Sequence, residues 1–222
     1  MKGLPRSRRA ACSPYPNGPL GINPTGRAGA QALIRVRRSR PFVRPLSITG
    51  TPGTGKTSVA RALPARYPWI EVGELALRLG AGRGSAREIE VDLPALARAM
   101  RSSRPGAFPP VLVGHLAHLL PIRDVVVLRC HPIVLARRLG RARRGTAVER
   151  HENLVVEATD VVLGEALARR RRVWEVDTTG RTVSDIALEV RAIIAGRPAP
   201  RHGRTDWLSD PAVTAHLLPP AR

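Results

Sequence analysis

Lysine, cysteine and acidic residues are the scarce materials of this chain. Of its 222 residues 37 are basic, yet lysine occurs only as Lys2 and Lys56, so any task that needs an ammonium group falls to one of these two. Acids number 17, which leaves a net charge of +20 and a pI near 11.8. Such a balance ordinarily points to nucleic acid or an acidic surface as partner, although an excess of arginine over lysine reads equally as the product of GC-rich coding. Two cysteines, Cys12 and Cys130, form neither a metal-ligand spacing nor a disulfide framework. That excludes a disulfide-stapled secreted scaffold and implies a reducing, cytosolic compartment. No apolar run approaches the ~18 residues of a membrane span, and there are no internal repeats.

Acid is missing altogether from the first fifth of the chain. Residues 1–44 hold ten Lys/Arg and no Asp or Glu, and so carry half of the net charge. Rich in Pro and Gly and without sustained periodicity, they cannot bury enough apolar surface to offset the entropy of ordering. A disordered basic extension is expected, whose partner, if any, is RNA held through non-specific phosphate contacts. The segment lacks the uninterrupted apolar stretch of a secretory signal, and its Pro and Gly argue against the amphipathic helix of a transit peptide. A start codon placed too early would leave the same composition.

Past Arg44, short apolar runs alternate with helical stretches, the pattern of a parallel sheet with crossover helices. Strands are predicted at 46–49, 69–72, 111–114, 124–129 and 173–177, and helices at 56–64, 92–102, 132–140, 149–170 and 182–195. The Pro-rich, polar residues 197–222 are expected to pack loosely or trail as a C-terminal tail. One domain, 45–196, accounts for the rest.

Between the first strand and the first helix stands Gly50-Thr51-Pro52-Gly53-Thr54-Gly55-Lys56-Thr57-Ser58, a complete G-x-x-x-x-G-K-[ST] loop. Its glycines let backbone N–H groups curl around phosphate oxygens, and the following helix adds its positive end. A nucleoside triphosphate, ATP or GTP, is therefore the expected ligand. Gly50, Gly53, Gly55, Lys56, Thr57 and Ser58 are its candidate binding residues. Lys56 is placed to bridge the β- and γ-phosphates, and the Thr57 hydroxyl to reach Mg²⁺.

A phosphate loop says what is bound, not what is done with it. Three later segments narrow the choice. VLVGHLAHLLP at 111–121 ends a strand with His115 and His118, where the carboxyl edge of the sheet would face the phosphates; each reads equally as a catalytic group or as a structural polar contact. VVVLRCHP at 125–132 ends a strand in Arg129 and turns into a helix bearing Arg137 and Arg138. The Arg-rich stretch 141–150 then leads into a long amphipathic helix with Asn153, Glu157 and Glu165. Phosphoryl transfer spreads charge over equatorial oxygens, so a mobile arginine loop that closes over the nucleotide suits it. A solvated basic turn is the alternative reading of the same residues.

The segments ITGTPGTGKTSVARAL, EVGELALRLG, LVGHLAHLLP, VVVLRCHP, ERHENLVVEATDVVLGEAL and VWEVDTTGR, in this order over about 150 residues, resemble the adenylate kinase isoenzyme 6 type of nucleoside monophosphate kinase. That family is also described as the coilin-interacting nuclear ATPase, and the likeness is to its archaeal members in particular. The resemblance implies an α/β P-loop NTPase fold: a five-stranded parallel sheet with flanking helices, a small monophosphate-binding (NMP-binding) insertion at about 73–97 and a short lid at about 142–152. It implies an ATP:AMP phosphotransferase, also an ATPase, that uses Mg²⁺. Arg144 in the lid would reach the nucleotide, and His115 would matter for catalysis. A role in maturation of the small ribosomal subunit, with ribosomal protein uS11 as partner, is implied as well.

Two features depart from the family's pattern. Val113 stands where the family usually has Asp or Glu just inside the third strand, so the carboxylate for the metal's water shell is missing there. The arginine that usually follows Leu-Ala comes one place later, as Arg78, and the loop after it reads GAGRGSAREIEVD. Arg78, Arg83 and Arg87 are the candidate ligands of the acceptor phosphate.

Overall fold

The computed structural model describes residues 44–85, 88–143, 145–169 and 171–218. The expectation for residues 1–44, save Arg44, lies outside them, as do Arg87 and Arg144. In chain order the elements are β1 (Leu46–Thr49), α1 (Lys56–Arg61), β2 (Trp69–Glu71), α2 (Val72–Arg78), β3 (Gly82–Ser85), β4 (Glu88–Val91), α3 (Leu93–Ser102), β5 (Val111–Val113), β6 (Asp124–Arg129), α4 (Pro132–Arg141), α5 (Ala147–Ala158), α6 (Val161–Ala168), β7 (Arg172–Asp177), α7 (Val183–Ile194) and α8 (Pro211–Leu217).

Five strands form one parallel sheet in the order β2-β5-β1-β6-β7. β1, β5 and β6 are buried at every position. Helices cover both faces of such a sheet, which is why these strands read as unbroken apolar runs rather than as alternating ones. On one face Ile48, Val126, Leu128 and Trp174 pack against Val59 of α1 and Ile186 and Val190 of α7. The other face is covered piecemeal: Leu112 and Ile70 meet Leu75 and Leu96, while Val125 and Val127 meet Leu163 and Ala166. Each such Val, Leu or Ile side chain, fully buried, contributes about 1.5–3 kcal/mol.

The strands fall where the apolar runs predict them, with ends moved by one residue. The helices differ more. The stretch 149–170 is two helices, because Asp160 takes a left-handed backbone (φ 56°) between α5 and α6. A short polar side chain tolerates that conformation, and the Asp160 carboxylate is held there by Arg129. α5 also starts two residues early, at a capping box: Thr146 Oγ1 accepts from Glu149 N, and Glu149 Oε2 accepts from Thr146 N. Within the insertion expected at about 73–97 lie α2 and an antiparallel pair, β3 with β4, which pairs Gly82 with Val91 and Arg83 with Glu90.

The C-terminal segment does not trail. Arg201 N donates to Val173 O and Arg201 O accepts from Glu175 N, both on the edge strand β7. Trp207 lies against His131, ring centroids 5.1 Å apart, and Val213 of α8 is fully buried. The expectation of loose packing fails because these few apolar anchors are scattered among prolines and polar residues.

Candidate nucleotide site

The phosphate loop runs from the end of β1 to the start of α1 at the carboxyl edge of the sheet. Gly50 has φ 137°, and a Cβ there would lie 2.3 Å from Leu128 O of β6; at Gly53 (φ 93°) a Cβ would lie 2.8 Å from Leu135 Cδ1. No other residue fits either place without moving its neighbours. Lys56 Nζ donates to Gly50 O (2.8 Å) and Thr51 O (2.9 Å). Thr57 Oγ1 donates to Glu71 Oε1 at 3.0 Å. Ser58 is exposed.

Behind the loop stands a buried network of charges. Thr51 Oγ1 donates to Glu157 Oε2 at 2.5 Å, while Glu157 Oε1 accepts from Arg129 Nε (2.8 Å) and Cys130 N (2.9 Å). Arg129 donates further to Glu175 Oε1 (3.1 Å) and to Asp160. Burial alone would lower the Arg129 pKa, but Glu157 and Asp160 outweigh it and hold it above the ordinary value. The network extends outward as Glu175 accepts from Arg204 N and from Thr205. The loop that would hold phosphates is thereby fixed to β6, α5, β7 and the C-terminal segment.

The loop opens on a cavity of about 670 Å³, walled by Glu71 and Val72 at the end of β2, Val113 to Leu116 at the end of β5, Ile89 and Val91 of β4, and Arg61 and Arg138. Its size is that of a small-molecule site. His115 lines it, beside Lys56; partial burial first, then the charges of Lys56 and His118, lower its pKa from 6.5. The ring is therefore neutral near pH 7 and can donate from one nitrogen and accept at the other.

His118 has a different place. It is fully buried, its Nδ1 3.0 Å from Thr49 Oγ1 and its Nε2 2.7 Å from Glu165 Oε2. Burial, the largest cause, and the charge of Arg169 lower its pKa against the hydrogen bond and charge of Glu165, and the neutral ring donates from Nε2–H to Glu165 while the single Thr49 hydroxyl proton is shared between His118 Nδ1 and His115 O. His118 ties β1 to α6 and does not line the cavity.

A family model described as an AAA domain matches residues 47–160. A protein named "Putative adenylate kinase" from Thermococcus onnurineus (strain NA1) is 41% identical over 164 residues, which cover 73% of this chain and 90% of that protein. One of the same name from Archaeoglobus fulgidus is 39% identical over 171 residues, 74% of this chain and 92% of that protein. The chain belongs to the putative adenylate kinase family. Among solved structures, a shikimate kinase from Acinetobacter baumannii in complex with shikimate matches 70% of this chain and 94% of its own, at 15% identity and TM-score 0.47. A gluconokinase from Sinorhizobium meliloti 1021 matches 70% and 93%, at 20% identity and TM-score 0.43.

In this member of the family, Gly53, Gly55, Lys56, Thr57, Ser58 and His115 share one cavity, with Gly50 buried at the foot of the loop. Two expected acceptor ligands do not join them. Arg78 lies exposed on α2, paired with Glu74 one turn away, because the i, i+4 spacing offers it a closer carboxylate. Arg83 faces a smaller cavity of about 390 Å³ beside Glu90 and Asp92. The main cavity takes its basic groups from Lys56, Arg61 and Arg138 instead. Arg138 donates to Thr178 O (2.8 Å) and Thr178 Oγ1 (3.0 Å), which aligns it after β7. Neither Arg61 nor Glu71 stood out in the sequence; a basic residue one helical turn past Thr57, and an acid closing a strand, were the signals available. Among the described residues no three His, Cys, Asp or Glu side chains cluster as a metal cage, and no helix is long and apolar enough to cross a membrane.

Proposed function

We propose that the protein is an adenylate kinase that reversibly moves the terminal phosphoryl group of ATP to AMP. The observation that carries this reading is the joining of a complete phosphate loop to a second, partly apolar wall in a single cavity: Lys56 and Thr57 on one side, Ile89, Val91 and Leu116 on the other. Such a cavity suits two ligands meeting end to end. Catalysis of this kind is positioning and electrostatics rather than covalent chemistry. The loop's N–H groups and Lys56 hold the triphosphate, and Arg61 and Arg138 add positive charge at the cavity wall. His115, neutral and beside Lys56, offers a hydrogen bond without adding charge. Arg144 of the lid is proposed to contact the transferring group on closure.

The Thr57 hydroxyl and the Glu71 carboxylate are hard oxygen donors side by side on the wall, a set that fits Mg²⁺. Mg²⁺ bound with ATP would neutralise phosphate charge. Buried, unpaired Cys130 agrees with a reducing, cytoplasmic setting.

The test is ADP formation from ATP with and without AMP. Formation that depends on AMP, with two ADP made per ATP consumed, is the expected result. Equal rates with and without AMP would mark an ATPase of the kind that acts as an assembly switch, and would overturn the kinase reading.

A further inference from the structure

Val113 leaves the end of β5 without the acid that this fold would use near the metal, and the strand register shows where another stands. Glu71 closes β2, which lies next to β5, and the two residues are direct partners across the parallel pair: Trp69 opposite Val111, Ile70 opposite Leu112, Glu71 opposite Val113. Residues at one register level of a parallel pair project to the same face, with strands ~4.8 Å apart. Both Glu71 and Val113 line the cavity. The carboxylate has shifted sideways by one strand while keeping its height at the carboxyl edge.

Three further observations bear on what Glu71 does. It is the N-terminal cap residue of α2, yet its side chain makes no capping bond to that helix. It accepts instead from Thr57 Oγ1 at 3.0 Å. That direction of donation turns the hydroxyl's lone pairs away from Glu71 and leaves them free for a cation. Among the side chains described, Glu71 is also the only acid on the cavity wall.

From the register match and the Thr57 contact we propose that Glu71 is the carboxylate that binds the divalent cation accompanying the triphosphate, directly or through its water shell, in place of the acid absent at position 113. The proposal rests on the nucleotide-kinase reading of the loop. Cation affinity here comes from one strand-end carboxylate, one hydroxyl and the phosphates, as is usual for Mg²⁺ at phosphate sites.

The experiment compares wild type with Glu71→Gln, which keeps the shape and the acceptor for Thr57 but removes the charge. ATP binding is measured by calorimetry in EDTA and across a Mg²⁺ titration, and bound Mn²⁺ is followed by its paramagnetic signal in the presence of ATP. The expected result is ATP affinity in EDTA within about twofold of wild type, with the divalent cation bound about tenfold more weakly or worse. An unchanged cation titration would overturn the proposal. So would an equal loss of ATP affinity in EDTA, which would make Glu71 a prop for the loop. Wild-type protein that binds no ATP under either condition would overturn the underlying nucleotide reading as well, and so separates the two failures.

Discussion

The two walls of the cavity are built on opposite principles. The donor wall is one contiguous loop whose shape is enforced from behind: Gly50 pressed on Leu128 O, Thr51 bonded to Glu157, and Glu157 locked to Arg129, which is 2% exposed. The wall proposed to meet the acceptor is a two-stranded hairpin and a helix, with Arg83 and Ser85 exposed and Arg78 spent on Glu74. It meets the cavity through Ile89, Val91 and Val72. Triphosphate groups are alike in every nucleotide, so backbone N–H groups in a rigid frame serve them all. An acceptor differs from its competitors in shape, and a wall of side chains, as proposed here for it, can be varied to suit that shape.

Breaking the frame behind the donor wall should have the largest effect. Glu157→Ala leaves Arg129 buried without its main partner and frees Thr51; a loss of about 3–5 kcal/mol in stability is expected, read by urea unfolding. A loss under ~1 kcal/mol would show that Glu175 and Asp160 suffice. Next comes the loop itself. Lys56→Ala should lower phosphoryl transfer by about 100-fold, or ~2.7 kcal/mol in the barrier, with the melting temperature almost unchanged; the Lys56 ammonium donates to carbonyls of its own loop. More than a tenth of wild-type turnover retained would break the assignment.

The strands and the loop were legible because a parallel sheet covered on both faces needs unbroken apolar runs, and because the phosphate motif is local. The hairpin was not: Gly82-Arg83-Gly84-Ser85 has neither β-branched residues nor alternation, and becomes a strand only because β4 pairs with it. The break at Asp160 was equally hidden, since its cause, Arg129, lies 31 residues away. Glu157 sits on the buried side of an amphipathic helix, where its charge could have signalled a buried partner. Which partner was not readable, because it depends on the packing of α5 against β6.

The acceptor wall offers a sharper, smaller contrast. Ile89→Ala should raise the KM for the acceptor about tenfold, by loss of apolar contact, with the KM for ATP unchanged; Arg78→Ala should alter neither by more than about twofold. Steady-state kinetics with each substrate varied in turn decides this. An effect of Arg78→Ala as large as that of Ile89→Ala would restore the arginine to the acceptor site.

The smallest expected effect concerns pH. His115 and His118 both have folded pKa values below 6.5. As the pH falls below 6.5 the unfolded chain takes up these protons first, so stability is full above 6.5 and is lost toward the lower folded values. His118→Gln should shrink the drop in melting temperature between pH 7 and pH 5, with His115 and the carboxylates supplying what remains. A drop identical to that of wild type would mean that His118 is not a source of acid sensitivity.

The bridge from Arg201 to β7 bears on how copies of this protein behave toward one another. β7 is a six-residue outer strand, whereas the opposite outer strand, β2, has only three residues. An open strand of that length is a template on which another chain can add. Here Arg201 occupies its central hydrogen-bonding groups, and Trp174 Nε1 binds Pro198 O beside it. The turn through 198–205 therefore acts as a sheath, and a chain cut before Pro198 should self-associate in light scattering at concentrations where the full chain stays dispersed.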